Sequence, residues 1–591
     1  MNNMNNMNNM NNMNNMNNMN NMMQNVRYED QNTPYEQLLR AEQLMASYQQ
    51  LLTAFIEQLQ ALKIEYLTST HTPDSETEGL TKYLAQTVIF NTRLRAYPAV
   101  IVMCKSNDDV VQAYQHAIAL NLPIRVRSGG HDHEGECTGN DVILLDLSGL
   151  KKLCVEGDEK SGFIAHIGSG YRFYQLVPKL AAHSPPITIP HGTCATVGLA
   201  GYIQGGGWGP WTRRHGMCCE SLIGAKVLVE NGSILEVNEQ SHGDLLWALR
   251  GGGAFSYGIV LEFSVKAFVI PNEIHRFEIH WNDDDTDSTE ETTYEVLSYW
   301  EKAINDPSTI GLVGTNLKID AIAKTDTNAQ ILINRLKHPC TMYGYWEGDP
   351  QSLSQFTNKY FPSSKHRITG TDTPKSYSPS LMGNWARKSL GGKLNTSLKD
   401  AHEPFKPDYD EPAPHKITSK VVSEQGLEDL GRTQLLKSLT SSLLFEKNQE
   451  LGLFSYVTLG AINGPFYADE DSAKASERMA FPYATSQYTI QYQTWWNECF
   501  NQKALGQNNA VFNYVNRALD WMEVCRDSEI NGTKGAFISF KDSSIPTKTY
   551  FLDHYEKLIN IKQKYNRQPS NQNSDLPGTA YNHYRTRKTI I

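Results

Sequence analysis

No apolar run in this 591-residue chain approaches the ~20 residues needed to span a bilayer, because polar residues interrupt every long hydrophobic stretch. No transmembrane helix is expected. Basic clusters are equally scarce: 54 Lys+Arg stand against 64 Asp+Glu, a net charge of −10 with no basic block. Nucleic acid is therefore not an expected partner. The first 23 residues repeat Met-Asn-Asn and lack both a basic n-region and an apolar h-region, so they do not read as a secretory signal. A cytoplasmic location is the expectation. Such a tract buries too little surface to offset chain entropy, and residues 1–34 are expected to be disordered. No Cys-x-x-Cys pair occurs among the nine scattered cysteines, which leaves no case for a zinc site and none for another metal. Their odd number and apolar settings, as in "VIVMCKS", favour reduced, buried thiols over a disulfide framework. Also missing is Gly-x-Gly-x-x-Gly between a strand and a helix, the ordinary dinucleotide fingerprint.

What is present is modular. Leu44, Tyr48, Leu51, Leu52, Phe55, Leu59 and Leu62 fall at helical spacing, so residues 35–66 read as one long amphipathic helix. It either packs on its own domain or offers a face to a second copy or a partner. "THTPDSETEG" (70–79) reads as a linker, closing a helical extension over 35–80. Strands then alternate with helices: "AVIVMC", a helix opening on Ser106, "PIRVRSGG", "DVILLDLS", "GFIAHIGSG" and the hairpin "AKVLVENGSILEV" turning at Asn231-Gly232. Past residue 270, strands such as "FEIHW", "YTIQYQTWW" and "GAFISF" alternate with amphipathic helices, and "YFLDHYEKLINIKQKYN" reads as a closing helix. The expected fold class is α+β, in two modules: a glycine-rich domain over 81–270 completed by 546–591, and a second domain over 271–545 built on an antiparallel sheet.

Three glycine clusters mark the first module: "RSGGH" (127–131), "TVGLAGYIQGGGWGP" (196–210) and "ALRGGGAFSYGIV" (248–260). Glycine lets backbone N–H groups approach a flat or anionic ligand closely, and three such loops suit one extended ligand. The competing explanation is that they serve only turns and bulges. Likewise His131 and Cys194 each border a glycine loop; singly, they would read as a turn residue and a small buried hydrophobe.

Together, "RVRSGGHDHEG", "GTCATVGLAGYIQGGGWGP", "DLLWALRGGGAFSYGIVLEF" and "YTIQYQTWW" resemble the berberine bridge enzyme-like oxidoreductases of the vanillyl-alcohol oxidase superfamily. The likeness runs from about Tyr83 through the last helix. It implies FAD attached at two points, His131 to the flavin 8α-methyl and Cys194 to flavin C6. By the same likeness the cofactor-binding set takes in Arg127, Ser128, Gly129 and Gly130 around the pyrophosphate, and Thr196, Gly198, Gly201, Gly205, Gly206 and Gly207 near the ring and ribityl chain. Gly258, Ile259 and Val260 would flank the adenine half. A second bond would raise the cofactor's electron affinity and hold it under an open cleft suited to bulky substrates.

The resemblance also points to Val197, where valine rather than leucine favours dioxygen as electron acceptor, unless it merely packs there. Against it stands a departure: where the family often carries a tyrosine base in a motif like "AYxNYRD", this chain reads "AFISFKD", with Phe537, Ser539 and Phe540. Phenylalanine accepts no proton. On the strand "QYTIQYQ", alternation sets Thr489, Gln491 and Gln493 on the face that resembles the flavin-facing one, with Tyr488, Ile490 and Tyr492 on the other. Gln491, Tyr492, Phe540 and Val197 are the candidate catalytic positions. Lys541 and Asp542 lie nearby, Lys541 reading as a solvated charge. The implied activity is an oxidase that moves a hydride from a C–H bond beside a hydroxyl, in a sugar or secondary-metabolite alcohol, to FAD, and passes the electrons to O2 to give hydrogen peroxide. A dehydrogenase with another acceptor, or a flavin-loaded binding protein weakened at Phe540, are the alternatives.

Overall fold

Ser106 starts the helix that follows it by a reciprocal cap: its Oγ accepts from Asp109 N (3.1 Å), and Asp109 Oδ2 accepts from Ser106 N (3.0 Å). The computed structural model in which this is seen describes residues 34–69, 76–282, 290–377, 412–449, 452–468, 474–496 and 510–565. The Met-Asn-Asn tract, Cys499 and the polar stretch after the last helix lie outside the described residues.

The chain opens with α1 (Pro34–Leu62), β1 (Tyr66–Leu67) and α2 (Glu76–Thr87). Phe55 and Leu59 are fully buried in the first module's core, and Tyr48 Oη donates to Asp141 O (2.6 Å), so α1 lies on its own domain. The linker reading of 70–79 needs correction, because Glu76 already begins α2. Residues 70–75 of that run lie outside the described residues; Tyr83 of α2 is buried and donates to Pro98 O (2.7 Å).

Strands β2 (Val100–Met103), β3 (Ile124–Arg127) and β4 (Ile143–Asp146), with α3 (Asn107–Ala119), form with β1 a sheet of order β1-β2-β4-β3, parallel from β2 onward. An antiparallel sheet of order β5-β6-β10-β8-β9 follows: β5 (Leu153–Asp158), β6 (Gly162–Gly168), β8 (Leu222–Leu228), β9 (Ile234–Asn238) and β10 (Ile259–Val269), with the short β7 (Ile187–Thr188) on β10. The hairpin from β8 to β9 turns as expected: Gly232 has φ +81° and Asn231 Oδ1 accepts from Ser233 N.

The second module is one eight-stranded antiparallel sheet of order β15-β11-β14-β12-β18-β19-β16-β20. Its strands are β11 (Ile274–Trp281), β12 (Leu312–Asp320), β14 (Cys340–Glu347), β15 (His366–Asp372), β16 (His415–Val422), β18 (Leu453–Ala461), β19 (Tyr488–Trp496) and β20 (Thr533–Lys534), and a small pair, β13 (Ile322–Ala323) and β17 (Thr440–Ser441), stands apart. One face is buried by Trp300, Leu436 and Trp521 among the residues of three helices, Thr293–Asn305, Glu428–Ser438 and Ala510–Asp527. The other face is left for the site.

Two expected elements differ. "GAFISF" is no strand: Gly535 turns at φ +56°, and the donors of Ala536 and Phe537 go to Tyr483 Oη and Ser419 Oγ instead of a ladder. A 3-10 turn at Ile538–Phe540 results. The closing helix is broken at Leu552 (φ +48°) into Thr547–Phe551 and Tyr555–Tyr565. The second piece buries Leu558 and Ile561 in the first module's core.

Candidate active site

The first two glycine loops are in contact. A Cβ on Gly129 would stand 2.5 Å from Gly198 N, and one on Gly198 would stand 2.7 Å from Gly129 N. Only glycine permits this approach, which brings the ends of both loops together at a cavity of about 320 Å³ between the modules. There His131 Nε2 lies 2.8 Å from Thr196 Oγ1, and Cys194 Sγ lies 3.5 Å from the same hydroxyl. Phe90 stacks on the His131 ring at 3.6 Å. Burial, with His133 and Arg172 nearby, holds the His131 pKa well below the usual histidine value, so the ring is neutral and keeps a lone pair at neutral pH.

Of the expected cofactor residues, Ser128, Gly129, Gly130, His131, Cys194, Gly198, Gly201 and Gly205 line this cavity, as does Val197 of the catalytic candidates. Gly201 is the informative one: nothing lies within 4 Å of where its Cβ would be. Open space above bare backbone, between two glycine loops and bordered by a thiol and a neutral imidazole, fits a flat ring system such as the flavin of FAD.

Other expected residues sit elsewhere. Arg127 turns its guanidinium to Asp146 (2.6 Å) beneath the loop. Gly206 (φ +112°) and Gly207 (φ +81°) admit Phe481 and Tyr202, respectively, at close range. Gly258, Ile259 and Val260 enter β10 and do not line the cavity; from the third cluster Ala254 and Phe255 do.

Strand register builds the opposite wall. Pairing sets Lys318 of β12, Thr458 of β18, Gln491 of β19 and Ser419 of β16 in one row across the sheet. The neighbouring row runs Tyr343, Asn316, Gly460, Thr489. Gln491 faces the cavity and has no hydrogen-bond partner among the described residues, and the buried Asn316 Oδ1 is also unpartnered. Gln493, by contrast, is committed: its Oε1 accepts from Tyr456 Oη (3.1 Å) and Trp495 Nε1 (2.9 Å). Tyr492, expected as a catalytic candidate, is corrected by the pleat. It points to the opposite face, where its hydroxyl bonds Ser438 Oγ (2.7 Å) within the helix-covered core.

Phe540 does line the cavity, with Ser539 anchored to Gly205 O (3.1 Å). Lys541 is not a solvated charge: it is buried, borders the cavity and pairs with Glu136. Asp542 is no free base. Burial alone would raise its pKa, but the Lys416 ammonium at 2.8 Å and further hydrogen bonds outweigh that and hold it below the usual carboxylate range. Sequence reasoning missed Phe90, Asn316, Lys318, Tyr343 and the pair His133–His415, in which Nδ1 of the first lies 2.9 Å from Nε2 of the second. Only His133 had a local signal, as part of "HDHEG".

Among the described residues, no helix is long and apolar enough to cross a membrane, and no group of acidic, His or Cys side chains is arranged for a metal. A family model described as an FAD binding domain matches residues 98–238. "Berberine bridge enzyme-like 21" of Arabidopsis thaliana is 24% identical over 488 residues, 80% of this chain and 82% of that protein. Among solved structures, the berberine bridge enzyme-like 1 protein of Physcomitrella patens is 21% identical at a TM-score of 0.63, covering 88% of this chain and 96% of that one. Glucooligosaccharide oxidase from Acremonium strictum, described with a 6-S-cysteinyl, 8α-N1-histidyl FAD, is 20% identical at a TM-score of 0.65 over 86% of this chain and 96% of that one. The glycine-built cavity, the domain match and the shared two-module fold agree, and the chain is an FAD-linked oxidoreductase similar to the berberine bridge enzyme-like proteins.

Proposed function

We propose that this chain is an alcohol or sugar oxidase carrying FAD on two covalent bonds, through His131 and Cys194. One observation carries the reading: a neutral imidazole and a thiol from separate glycine loops converge on a single hydroxyl, Thr196 Oγ1, at 2.8 Å and 3.5 Å. When bound there, FAD supplies a two-electron acceptor for a C–H bond beside a hydroxyl and returns the electrons to O2 as hydrogen peroxide. The residues around it divide the remaining work. Bare backbone at Gly129, Gly130, Gly198 and Gly201 would give the ring and its chain a close seat, and Val197, at the cavity wall, is the side chain that would gate O2. The amide of Gln491 and the carbonyl of Asn316 are free to orient substrate hydroxyls. In this reading residues 81–270, with 546–591, form the FAD domain, and 271–545 form the substrate domain.

An open cavity with aromatic Trp208, Trp495 and Phe540 beside polar rows suits an oligosaccharide or a polycyclic alcohol. The test is anaerobic: the yellow holoprotein is mixed with cellobiose, xylobiose, chitobiose and polycyclic benzylic alcohols. Bleaching by at least one, with peroxide formed when air is admitted, is expected. No bleaching by any compound would sink the oxidase reading, and bleaching with sluggish reaction in air would favour a dehydrogenase.

A further inference from the structure

We propose that His133 is the proton acceptor of the alcohol oxidation proposed above, on which this inference rests, and that His415 positions it. Hydrogen-bond direction decides which nitrogen is available. Ala413 O can only accept, so His415 Nδ1, 2.8 Å away, carries a hydrogen. A neutral His415 then has a lone pair on Nε2, which lies 2.9 Å from His133 Nδ1 and makes that nitrogen the donor. The lone pair of His133 is thereby assigned to Nε2. That atom has no partner among the described residues, and the ring lines the cavity.

The pair is built rather than incidental. Buried Asn91 ties both backbones, its Nδ2 donating to His133 O (2.7 Å) and its Oδ1 accepting from His415 N (3.2 Å). Trp495 stacks on His415 at 4.0 Å, and Arg93 Nε donates to His415 O (3.0 Å). His133 also stands beside Phe540, at 6.5 Å between ring centroids, the position where a tyrosine base would be expected. The acids nearby are engaged. Glu134 and Asp542 share Lys416 (2.7 and 2.8 Å), Glu136 holds Lys541, and Asp132 Oδ1 accepts from the backbone of Glu134 and Glu136.

The step balances simply. As the substrate C–H bond breaks, its hydride leaves with both electrons to FAD, the O–H proton passes to His133 Nε2, and a C=O bond forms. The alcohol is oxidised and the flavin reduced; O2 later takes the two electrons and protons as hydrogen peroxide, and His133 returns to neutral. Burial is the main cause that pushes the His133 pKa down to about 4, against the Glu134 charge and with the help of Lys416. Of the groups that act on the pair, Glu134 comes from its own turn, His131 and Arg93 from the segments before it and Lys416 from β16, while Asp132, Glu136 and Lys541 line the same cavity. At neutral pH the accepting form is therefore the populated one.

The experiment compares wild-type holoprotein with H133N, which keeps a donor toward His415 but lacks the distal nitrogen. The probe is whichever of the sugars and alcohols above bleaches the wild type. H133N should retain bound flavin and a similar half-saturating concentration, yet reduce flavin ~10²–10⁴-fold more slowly. The wild-type rate should be flat above pH 5 and fall through pH 4, and H133N should lose that limb. H415A should move the limb, and H415Q, whose carbonyl still accepts from His133, should restore it. Independently of any substrate, 15N-histidine NMR of the wild-type holoprotein should show His133 Nε2 unprotonated at neutral pH. A protonated Nε2, or H133N reducing flavin at the wild-type rate, would overturn the proposal while leaving the oxidase reading intact. A wild type bleached by none of the probes would overturn both.

Discussion

Thr196 Oγ1 bridges the two expected tether residues, and the sharpest expectations concern its neighbours. If both bonds to FAD form, H131A and C194A should each keep flavin through acid precipitation, and the double variant should release it; peptide mass spectrometry checks this. Free FAD released from the wild type would contradict it. V197L should slow reoxidation of the reduced protein in air, since an added barrier of only ~1.4 kcal/mol costs about tenfold in rate. Stopped-flow flavin absorbance measures the difference, and equal rates would leave Val197 as a packing residue. F540Y should bring no gain in flavin reduction, because a new phenol between Phe537 and His133 would have to find a partner or cost ~1–3 kcal/mol. A large gain would instead mark the site as degenerate. At this scale His131, Cys194, Val197 and Phe540 were legible because each sits in a short motif. Asn316, Lys318 and His415 were not, because each lies on a strand whose own pattern carries no sign of a cavity across the sheet.

Among elements, the glycine loops make opposite demands at neighbouring positions. G129A would drive a methyl into the backbone of Gly198, an overpacking that typically costs ~1–3 kcal/mol and should lower Tm whether or not flavin is bound. G201A meets open space, so the protein should fold and melt as the wild type does but load less FAD. Thermal melts and the flavin-to-protein absorbance ratio separate the two; a G201A protein with full flavin would mean that the ring lies elsewhere. Periodicity identified β19 and its two faces correctly, yet Tyr492 still had to be reassigned once the helix-covered side was known. "GAFISF" looked like a strand because its apolar residues carry β propensity, but side chains from Tyr483 and Ser419 took its backbone hydrogen bonds.

The whole molecule stores several histidines in neutral form. Burial lowers the pKa of His133, His191 and His338 to about 4 and that of His215 to about 3. An unfolded histidine titrates near 6.5, so between there and 4 the unfolded chain binds more protons than the folded one. Stability from these groups is therefore complete above about pH 6.5 and drains as pH falls, at up to ~1.4 kcal/mol per pH unit for each. Tm should drop steeply from pH 6.5 to 4.5, by differential scanning fluorimetry; a flat Tm would show that these rings charge without cost. Alternation of apolar residues, capping residues and glycine clusters are local properties, so the sequence by itself determined the two-module α+β class, the likeness to flavin oxidoreductases, and His131 and Cys194 as the residues to watch. The contact of Gly129 with Gly198, the polar rows across β12, β18, β19 and β16, and the meeting of His133 with His415 join positions as much as 282 residues apart. Such contacts depend on strand register and inter-module packing, which no local pattern encodes, and only the tertiary structure decided them.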